Sequence, residues 1–132
     1  MELIKIEPDK EKAKSLLKLA LMRQNKIPQY DPEKESPLIT EAYYEVCKEI
    51  ITAILFCDGY KTFSHTDLIE YIKKYKEFNE HETHIIDTLR KKRNQIVYYG
   101  TLEEISYAKR NEKNIKEIIR KLKSILEQKT KG

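Results

Sequence analysis

A chain of 132 residues holds one domain around one core and has too little surface to bury for two. With 39% hydrophobic against 36% charged residues and only three Gly, it favours regular helices with polar outer faces over turn-rich β architecture. The longest apolar stretch, Ile50 to Cys57 with Thr52 inside it, is far short of the roughly 20 residues a membrane span needs.

The N-terminus lacks the basic start and long apolar run of a secretory signal, so the expectation is a cytoplasmic protein with no membrane partner. The formal charge of +4 is uneven, because from Lys109 onward nine Lys or Arg stand against Glu112, Glu117 and Glu127. A basic last helix and tail, residues 127–132, can draw phosphate backbones by counterion release, or can be a solvated helix face.

Pro8-Asp9 opens the first predicted helix, over 9–25, on the spacing of Ala13, Leu16, Leu17, Ala20 and Leu21. The connector 26–37 carries Pro28, Pro32 and Pro37 among charged residues and reads as an exposed loop, long enough to suggest a functional one. Ser36-Pro37 then opens a second helix with a stripe of Ile39, Tyr43, Val46, Ile50, Ala53 and Cys57. Its second half is apolar nearly all round, which marks the central helix or one face of an oligomer, and Asp58-Gly59 ends it. Cys47 and Cys57 lie on this one helix, about 15 Å apart along its axis, too far to bridge, and read as small core residues in a reducing compartment.

Ser64 with Asp67 has the form of a capping box for a short third helix through Leu68, Ile69, Ile72 and Tyr75. Asn79 with Glu82 repeats the device and opens a fourth helix that runs to Gly100. Thr101 with Glu104 caps a last helix carrying Ala108, Ile115, Ile118, Ile119, Leu122, Ile125 and Leu126. No segment alternates as a strand would. The reading is a single all-α domain over 1–132, an up-and-down bundle of about five helices with its core in 10–125.

On the fourth helix Ile85, Ile86, Leu89, Ile96 and Val97 form the apolar face, and Arg93 projects within the same arc. A guanidinium there must meet a carboxylate, reach a solvent cleft or await an anion. One reading pairs it with Glu45 or Glu49 of the second helix, fixing helix packing. The other makes it a fork for phosphate, with Arg90 and Asn94 adding donors beside it.

The series Ala42-Tyr43-Tyr44-Glu45-Val46-Cys47-Lys48-Glu49-Ile50-Ile51, then Asp58 to Ile69, then Arg90 to Gly100 resembles the stand-alone HEPN domains of archaea and bacteria in order and spacing, across most of the chain. The resemblance implies a helical bundle that forms a homodimer. It also implies an interface cleft lined by an Arg, a polar residue after it and a His further along the same helix. It implies RNA or nucleotide binding, and in many members metal-independent ribonuclease activity of the toxin type, with a minimal nucleotidyltransferase as partner. Arg93 matches the motif Arg and Asn94 the polar residue. Where the His should stand is Tyr98.

Imidazole exchanges a proton at neutral pH, whereas a phenol is a poor base there. Tyr98 can still donate to phosphate, and Tyr99 beside Lys92 and Arg93 can stack on a base. The expected ligand-binding set is therefore Arg90, Arg93, Asn94 and Tyr99. Arg93, Asn94 and Tyr98 are the set for cleavage, if the chain cuts.

Tyr98-Tyr99 and Tyr43-Tyr44 are each expected to turn one ring to the core and one away, or to pack a dimer seam. His65 is a candidate substitute for the missing imidazole or a capping residue. His81 and His84 lack a third ligand at recognisable spacing, so neither metal nor cofactor is expected. Binding is the main expectation; a non-catalytic interaction module or a purely structural dimer are the alternatives.

Overall fold

The computed structural model describes residues 1–102 and 107–131. Asp9 opens α1 (Lys10–Lys26), its carboxylate accepting from the Lys12 amide at 2.9 Å. Only a narrow face of α1, at Ala13 and Ala20, is fully buried. A 3-10 turn over Ile27–Gln29 tucks Ile27 into the core, and α2 (Ser36–Asp58) starts with Pro37 in its first turn. The irregular connector is thus shorter than 26–37, because helical structure takes up both of its ends.

Every other helix packs on α2. That is why its side chains from Tyr43 to Val46 and from Glu49 to Ile51 are buried without a break, where a surface helix would bury only one stripe. Helix α1 runs antiparallel to α2, with Asp9 N bonded to Phe56 O at one end and Arg23 reaching Glu49 further along. At the C-terminus of α2, Gly59 adopts φ +86°, and a Cβ there would lie 3.0 Å from the Ile6 carbonyl. Both the left-handed turn and the close approach of the N-terminal segment require glycine.

That approach forms the strands that the sequence did not foretell. Segment β1 (Ile4–Lys5) pairs antiparallel with β2 (Tyr60–Lys61). Two residues are too few to alternate, so the pairing has no periodic signature. Helix α3 (His65–Ile72) stops before Tyr75, which is in the turn that follows. Its cap is one-sided: Ser64 Oγ accepts from Asp67 N at 3.3 Å, but the Asp67 carboxylate turns to the Glu2 amide at 2.8 Å.

Helix α4 (Glu80–Tyr99) has the reciprocal box expected of Asn79 and Glu82, and Gly100 closes it at φ +64°. A single turn, α5 (Tyr107–Arg110), precedes α6 (Glu112–Thr130). The last helix therefore begins at Glu112, not under Thr101, and Glu104 lies outside the described residues. At the break, Asn111 Nδ2 donates to Tyr107 O. The described residues thus contain six α-helices, the one more than expected being the single turn α5. Helix α6 runs parallel to α2, with Glu112 meeting Tyr43 and Lys129 meeting Asp58. The basic tail is thus helical through Thr130.

Candidate functional site

The wrapping of α2 decides where the charges go. Glu45 and Glu49 are one turn apart on α2 and are 8% and 5% exposed, so each carboxylate needs partners inside the protein. Arg23 from α1 donates Nε to Glu49, 2.9 and 3.0 Å from its two oxygens. From α4, Arg93 sends Nε (3.1 Å) and Nη2 (3.0 Å) to Glu45 Oε1, while Lys48 Nζ meets Oε2 of the same carboxylate. Burial works against the ionised form of Glu45. The Lys48 hydrogen bond and the charges of Lys48, Arg93 and Arg23 outweigh it and hold its pKa below the ordinary value.

Of the two sequence readings of Arg93, the pairing with Glu45 is thus observed. It does not consume the whole guanidinium. Arg carries five N–H donors; Nε–H donates to Glu45 Oε1 at 3.1 Å, Nη2 lies 3.0 Å from the same oxygen as an ion pair, and Asn94 Oδ1 accepts from Nη1 at 3.1 Å. Each terminal nitrogen keeps one uncommitted N–H among the described residues. The guanidinium carbon is 5.6 Å from the Tyr44 ring centre and 5.8 Å from that of Tyr98, within the range of cation–π attraction.

Arg90 pairs with Asp87 at 2.9 Å and does not share a hydrogen bond with Arg93. Lys92 lies over the Tyr107 ring. The expected division of the tyrosine pairs fails in both places. Tyr43 and Tyr44 are both buried, because α2 has neighbours on both sides of that turn: Tyr43 donates to Glu112 of α6, and Tyr44 meets His65 of α3. Tyr98 and Tyr99 are both exposed, at 65% and 75%, because α4 buries no residue fully beyond Leu89. Val97, placed on the apolar face by its spacing, is 43% exposed for the same reason.

His65 is closer to this cluster than its place in the chain suggests. Its Nδ1 is 2.9 Å from the Tyr44 hydroxyl and its ring centre 5.8 Å from the Tyr44 ring centre. Partial burial lowers its pKa, and the charges of Lys48, Arg93 and Arg90 add to that against Glu45. Tyr44, Lys48 and His65 are the members that the reading of α4 alone missed. The i,i+3 spacing of Glu45 and Lys48 was visible, but only the fold carries His65 to Tyr44.

A cleft of about 840 Å³ lies between α3 and the first half of α4. Arg90 and Lys91 stand among its walls with His81, His84 and Asp87, whereas Arg93, Asn94, Tyr98 and Tyr99 do not line it. The expected residues therefore divide: Arg93 pairs with Glu45 and donates to Asn94, Arg90 faces the cleft, and the two tyrosines are exposed. A separate network missed by sequence reading closes the far end of α2, where Asp58 accepts from Tyr71 and from Lys129 Nζ at 2.7 Å. Among the described residues no three His, Cys, Asp or Glu gather as metal ligands, and no helix is long and apolar enough to cross a membrane. No protein-family model, curated protein or solved structure matches the chain.

Proposed function

We propose that this chain is a HEPN-like module that binds RNA or a nucleotide through its phosphates, using Arg93 and Asn94 with the basic, aromatic second half of α4. The observation that carries the reading is the composition of that half-helix. Four consecutive cations, Arg90 to Arg93, precede Tyr98 and Tyr99, and the two rings are 65% and 75% exposed among the described residues. Cations draw the phosphate backbone, exposed phenol rings stack on bases, and the N–H groups of Arg93 left uncommitted among the described residues remain for an anion. Glu45 then acts as the brace that holds the guanidinium in position. Exposed Val97, Tyr98, Tyr99 and Leu102 suit a homodimer seam beside the same surface.

Tyr98 in place of an imidazole favours binding without cutting. The test is fluorescence anisotropy with a labelled single-stranded oligoribonucleotide at low and moderate salt, with the RNA then run on a gel. Wild type should bind, lose affinity as salt rises, and leave the RNA intact, while Arg93→Ala should bind at least about tenfold more weakly. No binding at low salt, or equal binding by Arg93→Ala, rejects the reading. Cleavage that Arg93→Ala abolishes would instead make the chain a ribonuclease.

The Glu45 ion pair itself favours a second reading, in which Arg93 only fixes the packing of α4 on α2. On that reading an Arg93→Met, Glu45→Met double variant keeps its fold and every interaction of the wild type.

A further inference from the structure

The Tyr44 hydroxyl is buried and burial raises its pKa, so it stays protonated and must place its proton on an acceptor. Its one hydrogen bond is to His65 Nδ1, at 2.9 Å. Tyr44 is therefore the donor and Nδ1 the acceptor, which puts the imidazole proton on Nε2. That Nε2–H has no partner among the described residues. No buried side-chain nitrogen or oxygen there lacks one, so Nε2 is not fully buried and His65 is partly exposed. The result is an oriented donor on one side of the Tyr44 ring, whose centre lies 5.8 Å from that of the imidazole and 5.6 Å from the carbon of a guanidinium that also keeps uncommitted donors.

We infer that His65 is a second ligand-binding residue of the Arg93 site, its Nε2–H donating to a non-bridging oxygen of a phosphodiester that Arg93 and Lys48 attract. The inference rests on the reading of this surface as an RNA-phosphate site and adds to it a residue from another helix and a dependence on pH. The charged and titratable groups around the ring are Tyr44, Glu45 and Lys48 of α2, and Arg90 and Arg93 of α4. In the free protein the cations among them disfavour a third positive charge, and the ring is neutral at neutral pH.

A phosphodiester at Nε2 reverses that balance. The imidazole then gains a proton at Nδ1, and the Tyr44 hydroxyl turns to accept its hydrogen bond and gives up its own acceptor, a loss that the charge of the phosphodiester has to outweigh. Binding therefore takes up a proton, and affinity rises as pH falls from about 7.5 toward 5.5. The phosphodiester stays singly charged across that range, so the dependence belongs to the protein.

The chain has only three His, which makes the test direct. The imidazole C–H resonances of the full chain are titrated with pH by NMR, with and without a single-stranded oligoribonucleotide that lacks terminal phosphates. His65→Gln assigns the His65 signal. The expected result is that RNA moves the His65 titration to higher pH while His81 and His84 shift less. Anisotropy with a pH-insensitive label should show wild-type affinity rising at least about threefold from pH 7.5 to 5.5, and a flat profile for His65→Gln.

If RNA binds and Arg93→Ala prevents it, yet the His65 titration does not move, the inference is wrong and the phosphate-site reading stands. If wild type binds no RNA at low salt, both fall. A His65→Gln that weakens binding equally at every pH assigns His65 a merely structural role and also overturns the inference. His81→Gln and His84→Gln, both at exposed positions, assign the other two signals, so the wild-type titration decides the matter even where His65→Gln fails to fold.

Discussion

The two halves of α4 are built to opposite ends. From Glu80 to Leu89 the helix buries Glu82, Thr83, Ile85, Ile86 and Leu89 and ties Glu82 to Lys121 Nζ of α6 at 2.8 and 2.9 Å. From Arg90 to Tyr99 it buries none fully, although Ile96, Val97, Tyr98 and Tyr99 are there to be buried. The first half holds the bundle together. Among the described residues the second meets the bundle through polar and ring contacts, Arg93 with Glu45 and the Tyr44 ring and Lys92 over the Tyr107 ring, and not through fully buried apolar side chains.

Truncating Leu89, which is fully buried, should produce the largest effect. Leu89→Ala leaves a cavity and should cost about 2 to 5 kcal/mol in urea unfolding. At the boundary between the halves, Glu45→Gln keeps an oxygen acceptor but removes the charge that Arg93 and Lys48 share. It should cost about 1 to 3 kcal/mol, the lower end reflecting the remaining solvent access of the pair. Tyr99→Ala should change stability by no more than about 0.5 kcal/mol, and its effect should appear in RNA affinity instead. Similar stability losses for Leu89→Ala and Tyr99→Ala would erase the distinction between the halves. A large loss for Tyr99→Ala alone would mean that a second copy of the chain already covers the second half.

Much of the scaffold was legible because its signals are local. Asp9, Asn79, Gly59 and Gly100 each cap an end through atoms a few residues away, and they fall where the sequence placed them. The apolar run Ile50 to Leu55 announced a helix with neighbours on several sides, and α2 is that helix. What escaped depends on contacts between distant segments. Asp67 looked like the second half of a capping box but serves the Glu2 amide, 65 residues away. The strand pair at Ile4 and Lys61 is too short to show a period.

The candidate site was half visible. Arg93 was conspicuous as a charge in an apolar arc, and Glu45 was one of its two named partners. Periodicity could not reveal that α4 emerges from the bundle after Leu89, so it placed Val97 inside and divided Tyr98 from Tyr99. Nor could it bring His65 to Tyr44, since that contact joins two helices across the Gly59 turn and depends on how α3 packs on α2.

Helix α6 meets α2 from far along the chain, through pairs 69 and 71 residues apart, Tyr43 with Glu112 and Asp58 with Lys129. During synthesis the flank of α2 that α6 will occupy therefore emerges long before its cover is made. Until then, a nascent chain that has grown only to Gly100 carries an oily helix surface that must be shielded by a chaperone or by transient collapse. The final nineteen-residue helix, with its excess of Lys and Arg outside and its isoleucines inside, thus serves as the closing stave of the barrel as well as its charged rim.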